Sequence, residues 1–111
     1  MGKGIDQLKG ALDLLVLRTL DSTSVPLHGY AIAERIHQIS EEALRVEEGS
    51  LYPALHRMDE AGWVTSGWGV SENNRRARYY SITSAGRRTL AQLEDDWEKH
   101  VKAVKRVLRL A

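Results

Sequence analysis

The apolar positions of residues 5–21 recur on one face of a predicted helix and then extend onto a second face. The main face is made of apolar residues spaced three or four apart: Ile5, Leu8, Leu12, Leu15, Val16 and Leu20. Leu14 and Leu17 lie off that face. A helix that is apolar nearly all round is buried on more than one side. The pattern fits either a central core helix or a core helix that also lies in a subunit interface.

A second amphipathic helix is predicted over about 28–39, after turn-forming residues at 22–26. Its buried face would consist of Ile32, Ala33, Ile36 and Ile39. The following stretch, 40–48, is mostly polar. Within it, Leu44–Val46 is compatible with a short strand.

Residues 49–62 predict a short amphipathic helix with an unusual outer face. The apolar stripe consists of Leu51, Ala54, Leu55 and Met58. The outer face carries ring-bearing and charged side chains: Tyr52, Pro53, His56, Arg57, Asp59 and Glu60. Ser50 is the expected N-cap, which places Pro53 in the first turn. Gly62 can adopt the left-handed conformation that ends a helix.

The period then changes to two over residues 63–83, which indicates β-structure. Val64, Ser66, Trp68 and Val70 alternate, as do Tyr80 and Ile82. We expect antiparallel strands at about 63–69 and 77–82, joined by a long polar loop, with Gly67 and Gly69 marking a bulge. Three helices followed by a hairpin predict a mainly α winged helix-turn-helix, in which the hairpin is the wing.

The last helix is predicted to begin after Thr83 as N-cap and to run to the end. Its apolar stripe recurs at spacings of three and four: Leu90, Leu93, Trp97, Val101, Val104 and Leu108. So small a body cannot cover so long a stripe, so a second copy of the chain would cover it. We therefore predict a homodimer whose interface also includes Leu14 and Leu17.

Composition narrows the functional classes without identifying one. The chain has 111 residues, no cysteine and a net charge of only +1. One domain is expected, disulfides and thiolate metal sites are excluded, and overall charge alone does not indicate nucleic-acid binding. No apolar run approaches the roughly 18 residues that span a bilayer, and no apolar signal region opens the chain. We expect a cytoplasmic protein with no membrane partner.

A local cluster of basic and amide side chains indicates nucleic-acid binding, although the overall charge of the chain does not. The loop 71–78 carries Arg75, Arg76 and Arg78 beside Asn73 and Asn74. Guanidinium groups bind phosphates, and asparagine bonds phosphates or base edges. A solvated hairpin tip would explain the same residues.

The helix that exposes Tyr52, His56 and Arg57 points to the same partner, which makes double-stranded DNA the favoured one. The candidate phosphate contacts are four arginines per subunit, or eight per dimer: Arg57, Arg75, Arg76 and Arg78. If all of them bind phosphates, log K should fall with log salt concentration at a slope of up to about −7.

No catalytic or metal motif is present. The four histidines form no HExxH pair, no nucleophile elbow occurs, and Gly67 and Gly69 do not extend to GxGxxG. We expect no enzymatic activity, no metal and no cofactor. Trp97 has two interpretations, an apolar anchor in the dimer seam or one wall of a ligand pocket between subunits.

Two motifs resemble the PadR family of transcriptional regulators. They are GSLYPALHRMDEAGWV at 49–64 and RRARYYSITSAG at 75–86, and GALDLLVLRTL with HGYAIAERI looks like that family's opening helices. The last helix matches only by length and pattern. Met58 stands where leucine is more usual, a volume-conserving difference.

The resemblance implies a homodimeric winged helix-turn-helix, usually a repressor at a palindromic operator, with a single C-terminal helix in short members. It implies that the major-groove contacts are Ser50, Tyr52, Pro53 and His56. It places Arg75, Arg76 and Arg78 against backbone or minor groove. Some members bind aromatic compounds at the dimer centre, which would give Trp97 a small aromatic effector.

We therefore expect a single compact domain in which residues 1–83 bind DNA and residues 84–111 form the dimerisation helix. The competing hypothesis is a winged helix that uses the same face to bind a protein. The near-neutral charge fits that hypothesis, and so do Asp59 and Glu60 on the exposed face.

Overall fold

The computed structural model describes the backbone of residues 2–110 and the side chains of residues 11–110. The elements are α1 (Gly2–Asp21), β1 (Leu27–His28), α2 (Gly29–Ile39), α3 (Glu48–Glu60), β2 (Val64–Val70), β3 (Arg76–Ile82) and α4 (Ser84–Leu108). The strands form one antiparallel sheet in the order β1-β3-β2. This confirms the predicted mainly α winged helix. The predicted apolar positions Ile5 and Leu8 lie outside the residues whose side chains are described.

The core is built where α1 meets α2, α3 and the sheet. Its fully buried large side chains are Val16, Leu17, Leu20, Ile32, Leu51, Leu55, Met58 and Val64. Burial of Leu17 within its own chain makes its prediction as a dimer contact wrong. Ile39 was predicted to be buried, but its side chain is 72% exposed. It is the last residue of α2, where the helix has passed the edge of the core.

Strand β1 is the element that the sequence did not reveal. Leu27 pairs with Tyr80 and His28 with Tyr79. Two residues are too few for alternation to be recognised. His28 also caps α2, since its Nδ1 accepts a hydrogen bond of 3.2 Å from the backbone N–H of Ala31.

The strand expected at Leu44–Val46 does not form. Instead α2 ends in a tight turn in which Glu41 and Glu42 have φ values of +53° and +67°. The N–H of Glu42 donates to the carbonyl of His37 at 2.7 Å. The Leu44 backbone is bonded to side chains at the end of α2: its N–H donates to Oγ of the C-cap residue Ser40 at 3.0 Å, and its carbonyl lies 3.2 Å from Nδ1 of His37. These local bonds use the backbone groups that a strand would need.

Helix α3 begins earlier than predicted and ends as predicted. Glu47 is the N-cap, so Ser50 lies inside the helix and its predicted capping role is wrong. Pro53 is also inside the helix. It has no backbone N–H, so the Gly49 carbonyl lacks the hydrogen bond that residue 53 would otherwise donate. Gly62 adopts φ +81°, and the N–H of the following Trp63 donates to the Met58 carbonyl at 2.9 Å. These bonds form the left-handed helix end expected at glycine.

The hairpin pairs without interruption from Val64 opposite Ile82 to Val70 opposite Arg76. The predicted bulge is therefore absent. Gly69 instead leaves room for the ring of Tyr79, because a Cβ atom at position 69 would lie 2.8 Å from that ring. The connecting loop is short, and Asn74 takes a left-handed φ of +58° within it. Two of the arginines assigned to the loop, Arg76 and Arg78, therefore lie on β3.

Helix α4 is anchored at its start and free at its end. Thr83 is its N-cap as predicted, accepting a bond from the Gly86 N–H and donating one to the Gly62 carbonyl at 2.6 Å. The first half packs on α1, and the second half projects from the body. The longest dimension is 56 Å and the radius of gyration 15.2 Å, against about 13 Å for a compact chain of this length. None of the described helices contains an apolar segment of the length and hydropathy that a bilayer span requires.

Gly86 should be essential for seating α4. A Cβ atom there would overlap the backbone carbonyl oxygen of Trp63 and lie 2.7 Å from Cγ1 of Ile82. Gly86→Ala should lower the free energy of unfolding by about 3 kcal/mol, since backbone cannot give way as a side-chain end can.

Gly49→Ala is the matched control, because nothing lies within 4 Å of its Cβ position. It should leave stability unchanged or raise it by up to about 1 kcal/mol. Urea denaturation followed by circular dichroism, at equal protein concentrations, measures both. Equal effects at the two glycines would contradict the close approach at Gly86.

Candidate nucleic-acid interface

Helix α3 divides its side chains between the core and solvent as the sequence predicts. Leu51 and Leu55 are fully buried, whereas Tyr52, Pro53 and His56 are exposed. Ser50 is exposed as well, one turn before Ala54. The outer face of α3 therefore presents a phenol, a pyrrolidine ring and an imidazole. The His56 ring lies 3.6 Å from a Glu60 carboxylate oxygen, and both side chains are largely solvated.

The position of Tyr52 depends on a glycine in another helix. A Cβ atom on Gly29, the first residue of α2, would lie 2.7 Å from Cε1 of Tyr52 and 2.9 Å from its hydroxyl oxygen. The phenol therefore lies directly against the start of α2. Sequence reasoning identified Tyr52 but not Gly29, because a close approach between helices leaves no local pattern.

A cleft of about 750 Å³ joins the two surfaces that the sequence predicted separately. The start of α2, with Tyr52 of α3, forms one wall. The hairpin forms the other wall, with Asn73, Arg75 and Arg78. The structure thus brings together four of the predicted site residues, and the cleft has cationic groups on the hairpin side.

Arg75 and Arg76 are the most available cations of the hairpin. Both are exposed, and among the described residues neither has an acidic side chain within salt-bridge distance. The Arg76 guanidinium carbon lies 4.5 Å from the centre of the Trp68 ring, a cation–π distance. Asn73 and Asn74 are exposed at the loop tip.

Arg78 ties the hairpin to α3. Its Nε donates to Ser66 Oγ at 2.9 Å, and a terminal nitrogen lies 3.7 Å from a carboxylate oxygen of Asp59. Ser66 Oγ in turn donates to that carboxylate at 2.8 Å. The Asp59 charge, which was awkward for a DNA-facing helix, is therefore paired with a neighbouring cation.

Arg57 does not occupy the position predicted for it. Its two terminal nitrogens donate to both carboxylate oxygens of Asp13 on α1, at 2.8 and 3.0 Å. These hydrogen bonds raise the pKa of Arg57 above its usual value. The guanidinium is engaged within the fold, so the prediction of a free DNA contact at Arg57 is corrected. The signal for this pair was Asp13 itself, an acid between the leucines of a helix.

The apolar stripe of α4 changes from covered to exposed along its length. Leu90 is buried in its own core and is wrongly placed in the predicted dimer interface, while Leu93 and Leu14 pack against the edge of the core. Val101 is half-buried, whereas Trp97, Val104 and Leu108 are 40%, 43% and 75% exposed.

Trp97 lies beside His100, with 5.6 Å between ring centres. Its predicted role beside an aromatic effector stays a prediction. Among the described residues, no group of three acidic or histidine side chains could hold a metal ion.

Comparison with known proteins gives one consistent result. Residues 16–92 match the transcriptional regulator PadR-like family. The transcriptional regulator Rv3488 of Mycobacterium tuberculosis (strain ATCC 25618 / H37Rv) is 32% identical over 84 residues, 68% of this chain and 78% of that protein.

Two solved structures share the fold. A transcriptional regulator from Clostridium thermocellum gives a TM-score of 0.80 at 29% identity and covers 91% of this chain and 96% of its own. A PadR family transcription regulator from Clostridium difficile R20291 gives a TM-score of 0.70 at 27% identity and covers 87% of this chain and 97% of its own.

The Asp13–Arg57 pair predicts an asymmetric response to mutation. Asp13 is buried, whereas Arg57 remains half-exposed. Arg57→Ala leaves a buried carboxylate without its partner and should lower the free energy of unfolding by roughly 2–3 kcal/mol. Asp13→Asn leaves a cation that water can reach, so its cost should be smaller.

The double variant should recover part of the loss of Arg57→Ala. Urea unfolding of the two single variants and the double variant measures the coupling. Strictly additive losses would show that the two side chains do not support each other in solution.

Proposed function

The chain belongs to the PadR-like family of transcriptional regulators, and from that premise we propose that it binds duplex DNA as a homodimer and represses transcription from a twofold-symmetric operator. In this proposal residues 1–83 form the DNA-binding domain and residues 84–111 the dimerisation helix. The protein acts through binding and has no catalytic step.

The observation that carries the proposal is the shared cleft. Tyr52 at the exposed start of α3 and two arginines of the hairpin, Arg75 and Arg78, line one concave surface. A helix start enters the major groove while an adjacent arm meets the backbone, which is the arrangement of winged helix-turn-helix readers. Ser50, Tyr52, Pro53 and His56 are the proposed groove contacts. Arg75, Arg76 and Arg78, with Asn73 and Asn74, are the proposed wing contacts.

The projecting half of α4 supports the homodimer. A stripe in which Trp97, Val104 and Leu108 are exposed and Val101 is half-buried costs free energy in water. A second copy offers the same stripe, so a twofold interface would cover both. Twofold pairing would place the two copies of α3 in successive major grooves about 34 Å apart.

Removing the free wing arginines should weaken binding without changing sequence preference. Arg75 and Arg76, both changed to Ala, remove four cations from a dimer. The slope of log K against log salt should become less negative by about 3.6, and affinity for all duplexes should fall similarly. Gel shifts over a salt series, on the duplex upstream of the chain's own gene and on an unrelated duplex, measure this.

Lys102→Ala with Arg106→Ala is the matched control. It removes the same charge from the side of α4 opposite the apolar stripe and should not change the slope. Loss of discrimination at a single base position in the wing variant would instead make these arginines base-reading residues. A wild-type protein that binds no duplex would favour the protein-interaction hypothesis.

A charge placed in the apolar stripe should separate the subunits. Val104→Asp would put a carboxylate in the proposed seam, where its desolvation opposes pairing. The neighbouring Ala103→Asp makes the same change in charge about 100° away around α4. Sedimentation velocity should give a monomer for the first variant and a dimer for the second. If both variants sedimented as dimers, the assignment of this stripe to the interface would be wrong.

A further inference from the structure

One large exposed side chain of the hairpin has no role in the interface described so far. Trp68 of β2 is 59% exposed. It shares a strand face with Val64, which is fully buried, and with Ser66. The covered part of this face ends between Ser66 and Trp68, so the indole is the first large side chain beyond the core.

This face of the hairpin is the one turned toward α3. Ser66 and Arg78, on neighbouring strands, both reach Asp59 of α3. Trp68 is paired directly with Arg78 across the strands. The indole therefore lies on the α3 side of the hairpin and not on the outer surface of the sheet.

The indole also organises two of the wing cations. Guanidinium carbons of Arg76 and Arg78 lie 4.5 and 5.4 Å from the centre of its ring. A guanidinium stacked on a ring has already lost part of its rotational freedom, so less entropy is lost when it binds an anion. The patch thus combines an apolar surface with two positioned cations.

We infer that Trp68 is itself a DNA contact, its indole packing on the deoxyribose sugars of one strand while Arg76 and Arg78 meet the flanking phosphates. The inference rests on the proposed function and adds an apolar, sequence-independent contact to it. The partner is a polyanion because Arg76 of this patch is exposed and, among the described residues, has no acidic side chain within salt-bridge distance, and because Asp59 of α3 is already paired with Arg78. Alternating sugars and phosphates match a ring flanked by guanidiniums.

Affinity measurements on full-length variants test the contact. Trp68→Ala should weaken binding to the operator and to unrelated duplex alike, by about tenfold for each subunit, through lost apolar burial. Trp68→Phe keeps a smaller ring and should lose less. Thr65→Ala, an exposed change on the other face of β2, is the control and should bind as the wild type does. Thermal unfolding of each variant identifies any loss of fold.

Fluorescence gives a second readout that does not depend on affinity. Trp63 is half-buried beside the core and Trp97 lies on α4, so Trp68 is the tryptophan adjacent to the proposed interface. Saturating duplex should change the emission of the wild type, and Trp68→Phe should abolish that change.

Unaltered affinity of Trp68→Ala, or an equal emission change in Trp68→Phe, would overturn this contact and leave the proposed function standing. A wild-type protein that binds no duplex would overturn both.

Discussion

The paired charges of Asp13 and Arg57 are the constraint around which the helices are arranged. A carboxylate placed among the leucines of α1 cannot remain there unless a cation and its hydrogen bonds accompany it. Arg57 supplies both from α3, through two bonds of 2.8 and 3.0 Å. The pair is compatible with only one rotation of α3 about its own axis, the same rotation that buries Leu51 and Leu55 in the core. In that rotation Tyr52 and His56 face solvent.

A second set of polar contacts fixes the hairpin relative to the same helix. Asp59 accepts from Ser66 and attracts Arg78, so the hairpin is connected to α3 through side chains as well as through the chain itself. Gly29 gives the ring of Tyr52 its place against α2. Tyr52 and Arg78 of the proposed interface are thus each held by a neighbour. A side chain held in this way loses little conformational entropy when it binds.

The sequence predicted the parts of the fold that have periodic patterns. The helices, the two long strands, the cap at Thr83 and the left-handed Gly62 all follow from spacing and turn chemistry. Strand β1 was too short to show a period, and the turn at Glu41 and Glu42 places left-handed backbone where no glycine announces it.

The pattern of apolar and polar residues could not predict contacts between residues that are far apart in the sequence. Arg57 could be placed on a helix face, but its bond to a residue 44 positions away could not be seen. Leu17 and Leu90 belong to apolar stripes, and a stripe does not tell which of its members meet the chain's own core. The exposure of Trp68 could not be predicted for the same reason. Alternation assigns a residue to one face of a strand, but it does not show how far along that face the core extends.

The junction between the hairpin and α4 at Gly86 has a consequence for the spacing of DNA half-sites that a dimer could bind. The first turn of α4 rests directly on the carbonyl of Trp63, with Thr83 bonded on both sides of the joint. These contacts restrain the angle between the hairpin and α4. If two copies pair through α4, the distance between their two α3 helices is fixed by the structure of the dimer. Such a dimer would not bind a DNA site lengthened by half a helical turn, even if both half-sites had the correct sequence.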